Sequence, residues 1–262
     1  MMDRMQRCAS GLALLSSAAM PARAAAQARP YVFTVTAPAA DAGWLATVEA
    51  SYTERAFEPV GGEGLGPALA LRAPVARRAT LFARAGTAVD GGRARTSAEG
   101  ELLFTVRAPG PQRTWVALGA GAQREYSSTG VLTARLAAGR EMTRSRLDAN
   151  VLVERPLARD RDAVDLVTTA GWMHAVGRVA HLGVEAVGQD LEGFWEPDEA
   201  EGGARVYAGP SGALTLGAWQ LAFTAGPVVR STRSDRASTA PRPLGQSDRN
   251  GVALRTAVSY VW

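Results

Sequence analysis

From Trp44 to Trp262 the chain repeats one phrase, a run of alternating apolar and polar side chains followed by a turn, and helical spacing appears nowhere at length. A period of two sends successive side chains to opposite faces of a strand. The C-terminal stretch is the clearest case: Val252, Leu254, Val258, Tyr260 and Trp262 share one face, and Arg255 and Ser259 the other. Likewise Leu102, Phe104 and Val106 oppose Glu99, Glu101, Thr105 and Arg107, while Leu147, Ala149, Val151 and Val153 oppose Arg146, Asp148, Asn150 and Glu154. The rhythm predicts twelve strands, in a range of ten to fourteen: 44–53, 65–72, 79–88, 98–107, 113–122, 130–138, 144–154, 164–174, 179–192, 204–216, 218–229 and 251–262.

The connectors between them alternate in length. Stretches 108–112, 138–141, 175–178 and 216–218 read as short turns, whereas 54–64, 89–97, 156–163, 194–203 and 230–250 are longer and polar. An even strand number, with short turns and both termini at one end and longer loops at the other, is the arrangement of an up-and-down barrel. The faces decide its surroundings. One face is built from Ala, Val, Leu and Gly and bracketed by Trp44, Tyr52, Trp172, Trp219, Tyr260 and Trp262, with Trp115 expected in the same girdle. The other carries Glu49, Arg84, Glu101, Arg135, Asp148, Glu185, Arg205 and Arg255. That many charges would be prohibitively costly in a dry core, but they can line a wet lumen. The expected fold is therefore all-β, an antiparallel transmembrane barrel spanning 44–262. If nearest strands pair their inward charges, Arg84 meets Glu101, Arg135 meets Asp148, Glu185 meets Arg205, and Arg255 meets Glu49 across the closure.

A mean hydropathy of −0.06 does not oppose this, because a barrel averages a lipid face against a wet one. Residues 1–28 read as a cleaved secretory signal, with Arg4 and Arg7 ahead of the apolar run 11–20 and a small-x-small site at Ala26-Gln27-Ala28. Cys8, the chain's one cysteine, falls within it, so neither a disulfide framework nor a cysteine zinc site is expected. Lys is absent and all 29 basic residues are Arg. Without the signal the net charge drops from +4 to +2, since three Arg and one Asp are lost, and nucleic acid is not an expected partner. Residues 29–43 read as a periplasmic segment or a short plug.

In the signal sequence, in the alternation across 44–262 and in the terminal Tyr260-Val261-Trp262, the chain resembles the Gram-negative outer-membrane β-barrel proteins. The resemblance implies an outer-membrane location, contact with lipid and lipopolysaccharide, and a last strand read by the barrel-assembly machinery. Trp replaces the more usual terminal Phe. It also implies a passive channel or porin-like transporter for small polar solutes, with a non-conducting structural, adhesion or lipid-binding barrel as the alternative.

Nothing in the sequence calls for a cofactor or for catalysis. His174 and His181 flank a turn without an HExxH or GxSxG context, and the His-x-Ser-Asn-Gly stretch of outer-membrane phospholipase A is missing. The acidic loop 196–201 lacks the Asp-x-Asp-x-Asp-Gly spacing of a calcium loop. Arg230, Arg233, Arg236, Arg242 and Arg249, in the connector before the last strand, are candidates for lipopolysaccharide phosphates.

Overall fold

The computed structural model describes residues 30–38, 43–158 apart from 56, 58, 91 and 127, 164–191, 204–231 and 250–262. The signal sequence, the acidic loop 196–201 and Arg233, Arg236, Arg242 and Arg249 lie outside them. Twelve strands follow in order: β1 (Leu45–Thr53), β2 (Gly64–Ala76), β3 (Ala79–Asp90), β4 (Arg93–Arg107), β5 (Thr114–Arg124), β6 (Gly130–Glu141), β7 (Ser145–Pro156), β8 (Asp165–Ala175), β9 (Ala180–Gln189), β10 (Ala204–Leu216), β11 (Trp219–Ser231) and β12 (Gly251–Val261). Each pairs antiparallel with its neighbours, and β1 pairs with β12, so the sheet closes on itself. In that register Leu45 lies opposite Val261 and Thr53 opposite Ala253. Closure leaves no sheet edge with unpaired backbone groups.

Parity sorts the side chains as the alternation requires. Along β1, Thr47, Glu49, Ser51 and Thr53 are buried inside, while Val48 and Tyr52 are exposed outside. Outward-facing Leu69 and Leu118 are 64% and 51% exposed, and similar residues on every strand make a continuous apolar belt. No water-soluble monomer exposes a belt of that extent. Trp44, Trp172, Trp219, Tyr260 and Trp262 rim the belt at the short-turn end, and Tyr52 at the other. Around the closing seam they form a chain of rings, Trp44 stacking on Trp262 at 6.4 Å, Trp262 on Tyr260 at 6.1 Å, and Tyr260 edge-on to Trp219 at 4.9 Å.

Two boundaries differ from expectation for local reasons. The polar stretch 89–97 is not a long loop: β3 runs on to Asp90 and β4 begins at Arg93, leaving a two-residue hairpin. Gly92 holds a φ of 76°, which suits the turn and which few other residues would accept. Arg93, Arg95 and Glu99 look like loop because at the open end of a barrel neither face of a strand is greasy. In β2 the ladder extends to Ala76 through a bulge between Pro74 and Ala76, where proline's missing N–H is tolerated.

Trp115 also departs from expectation. It faces inward with Ala117, Gly119 and Gln123, is fully buried, and donates from Nε1 to Asp148 at 2.8 Å. With the ladder closed, the protein should resist detergent unfolding as a unit. An unboiled sample is expected to migrate differently from a boiled one on a denaturing gel, and identical migration would contradict a closed barrel.

Candidate functional site

The interior holds two things side by side, a segment of the chain and a charge-lined cavity. Residues 30–37 precede the barrel and lie within it, entering from the short-turn end and bending back at 32–34. The wall that receives them is β7–β10. Glu185, fully buried on β9, accepts the backbone N–H groups of Val32 (3.1 Å), Phe33 (2.7 Å) and Thr34 (2.6 Å). Asn150 on β7 treats Val35 as a neighbouring strand would, accepting its N–H at 2.7 Å and donating to its carbonyl at 2.9 Å. Arg72 donates to the carbonyl of Thr36 at 3.2 Å.

The side chains of the segment are seated as well. The Tyr31 hydroxyl donates between the carbonyls of Arg146 and Gly171, at 3.0 and 2.9 Å. Its ring lies over Gly171, where an added Cβ would overlap it. Burial, with Asp148 nearby, pushes the Tyr31 phenol above its ordinary value, so it remains a donor. Phe33 meets Tyr207 edge-on at 5.4 Å and lies under the Arg255 guanidinium at 5.0 Å. From the long-loop mouth, Phe57 and Val60 of the β1–β2 loop fold inward onto Tyr207, Val187 and Val228, with Phe33 packed against them.

The remaining lumen is a cavity of about 210 Å³ between the segment and the β1–β6 wall. Its lining runs from Leu45 and Arg72, at the short-turn ends of β1 and β2, to Glu125 and Tyr126, just beyond the long-loop end of β5. Arg84, Arg135, Arg255, Glu49, Glu99, Glu101 and Glu154 all line it.

The charges do not pair as nearest-strand reading expects. Arg255 does meet Glu49 across the seam. Arg84, however, pairs with Glu49 at 2.8 Å, not with Glu101, and Arg135 pairs with Glu101 at 2.8 Å, not with Asp148. Asp148 is held by Arg146 at 2.6 Å and by Trp115. Arg205 lies opposite Gln189 in the ladder, whereas Glu185 lies opposite Gly209 and serves the N-terminal segment. The reason is geometric. Arg84 reaches Glu49 over β2, whose inner face there is Ala68 and Ala70; Arg135 reaches Glu101 over Gly119 and Gly121 of β5. Trp115 reaches Asp148 over Gly139 of β6. On the concave inside of a small barrel, long side chains meet across a strand whose own inward residues are small.

Asn150 sits on the wet face to which the alternation assigns it, while Tyr31, Phe33 and Trp115 are lumen residues that were not expected there. Parity alone places Trp115 with Gln123 on the wet face, and an inward glycine such as Gly171 in an otherwise regular strand signals a close approach. His174 and His181 lie on opposite faces of the sheet. His174 Nδ1 is 2.8 Å from Ser145 Oγ and its ring stacks on Trp172, but no carboxylate among the described residues orients it. Nor do the described residues bring together three metal-ligating side chains.

The comparisons bear on the fold. Searched against family models and against curated proteins, the sequence matches none. Among solved structures the chain is similar to the NanC porin, with a TM-score of 0.57 at 6% identity over 83% of this chain and 100% of that one. It is similar also to the KdgM porin in complex with disordered oligogalacturonate, with a TM-score of 0.56 at 10% identity over 83% and 99%. The likeness is one of fold, a closed antiparallel β-barrel.

Within this barrel Glu49 neutralises two arginines while only 1% exposed. Removing one partner of a buried ionic cluster strands the others. Glu49→Gln is expected to destabilise the barrel by about 3–5 kcal/mol, seen as a lower urea midpoint in detergent with an unchanged slope; an unchanged midpoint would mean that water already compensates Arg84 and Arg255.

Proposed function

We propose that the protein is an outer-membrane channel for small polar solutes. The observation that carries this reading is the charged cavity whose lining reaches from the short-turn end to the long-loop end of the barrel. A barrel serving only as a scaffold has no need of a charge-lined cavity of that reach. Arginines and glutamates both line it, which suits solutes that exchange hydration for charged hydrogen bonds and leave again. An exposed apolar belt with aromatic rims supports the membrane location, as does the likeness to porins. The belt and its rims would contact outer-membrane lipid, with lipopolysaccharide at the long-loop end. The exposed aromatic end of β12 would serve barrel assembly.

The rival reading, a non-conducting barrel, is favoured by one observation: residues 30–37 take up lumen that a passing solute would otherwise use. Reconstitution into planar bilayers separates the two. Discrete conductance steps are expected, and Arg135→Glu is expected to shift the reversal potential toward cation selectivity, because Arg135 lines the cavity beside Glu101. A silent bilayer would favour the scaffold; conductance with an unchanged reversal potential would move the conduction path away from Arg135.

A further inference from the structure

The geometry points to a second function of the lumen wall: β7–β9 form a binding site for a short bent peptide, occupied in cis by residues 31–36, which act as a tethered, displaceable gate. Three features distinguish a built site from a chain merely enclosed. First, the wall reads the backbone of the segment. Glu185 spends its carboxylate on three consecutive N–H groups, and no cation among the described residues pairs with it. Asn150 answers both polar groups of Val35. A buried carboxylate satisfied only by peptide N–H groups is a receptor for peptide, because without that ligand it would need water or a cation in its place.

Second, the wall is shaped for a ring. Gly171 leaves the space that the Tyr31 ring fills, and the Tyr31 hydroxyl reaches two wall carbonyls beside it. Any larger residue at 171 would expel the ring. Third, the segment belongs to no strand and makes no ladder with the barrel, so it can leave without opening the sheet. Its attachment is a set of side-chain hydrogen bonds and apolar contacts of Val32, Phe33 and Val35, with no strand pair to break when it opens. Phe33 also connects it to the opposite mouth. The Arg255 guanidinium above Phe33 donates to the carbonyl of Pro59 in the inward-folded β1–β2 loop at 3.0 Å, so a buried arginine links the gate to the loop at that mouth.

The gating half of this inference rests on the channel reading; the binding half does not, and the test treats them apart. In a Cys8→Ser background, Val32→Cys places a single thiol on the segment. Maleimide is expected to label it at least about tenfold more slowly in folded protein than in boiled protein, the protection of a form that opens to ten per cent or less. Gly171→Ala, which evicts the Tyr31 ring, and Glu185→Gln, which replaces one of the two accepting oxygens by an NH2 facing an N–H donor, are each expected to abolish that protection. The gel shift on boiling reports separately that these barrels have folded. A chain lacking residues 30–37 is expected to bind a labelled synthetic peptide of those residues, measured by anisotropy, and a scrambled peptide not at all. It is also expected to conduct more than the intact chain, and the added peptide to lower that conductance. Equal labelling of folded and boiled protein, or equal binding of the scrambled peptide, overturns the binding site. Protection and binding without conductance in any variant leave the site standing and sink the channel.

Discussion

Everything in this molecule follows from closing the backbone ladder between β1 and β12. In hydrocarbon an unpaired N–H or carbonyl has no solvent, so a sheet that crosses it must have no edge. Closure makes one face of every strand outside and the other inside, and parity then leaves each residue a single role. Val48, Tyr52 and Leu254 have to be apolar or aromatic; Glu49, Ser51 and Arg255, one position away on the same strands, have to live with the lumen. Slipping the seam by one residue would put the Glu49–Arg255 pair in lipid. The ionic cluster at the seam is thus a register lock as well as a lumenal charge.

Inside a small closed barrel the second constraint is room. Side chains converge on the axis, so two large residues on neighbouring strands compete for the same volume. The chain resolves this by placing Gly or Ala beneath each long side chain: Gly119 and Gly121 under the Arg135–Glu101 pair, Gly139 under Trp115 and Asp148, Ala68 and Ala70 under Arg84 and Glu49, Gly171 under Tyr31. The same device that lets arginines span a strand lets a foreign segment lie against the wall. Every lumenal cation here is Arg, whose planar fork keeps its charge and can hold a carboxylate at that reach where the shorter contact range of an ammonium would serve less well.

Strand number, order and inward parity were legible because the two-residue period is local and repeated twelve times. The pairing of charges was not, since it depends on curvature, which no single strand encodes: Arg84 finds Glu49 two strands away because β2 is low there. Trp115 shows a different failure. Composition suggested a girdle residue, while its parity with Gln123 already placed it inside, and parity is the stronger signal. The β3–β4 hairpin was hidden because Arg93 to Glu99 carry polar residues on both faces, as the open end of a barrel permits. Residues 33–36 alternate too, but over too short a run to tell a periplasmic segment from a plug, and the wall that holds them is what places them inside.

That wall also decides between two accounts of the segment. If residues 31–36 were filler, completing a core that β7–β10 lacked, the contacts would be apolar and the wall beneath them continuous with the hydrophobic clusters. Val32, Phe33, Val35 and Ala37 do make such contacts, with Ala213 and Ala222, with Tyr207, and with Trp115 and Leu103. The backbone of the same segment, however, is held by Glu185, Asn150 and Arg72. A core built to be permanent would place Leu or Val at positions 150 and 185, where a buried polar group costs stability whenever it is unsatisfied. Keeping a carboxylate and an amide there makes sense where the wall must tolerate both states, peptide-bound and wet. Both side chains can be hydrated when the segment is away, which no apolar substitute would allow without leaving a greasy patch inside an aqueous lumen.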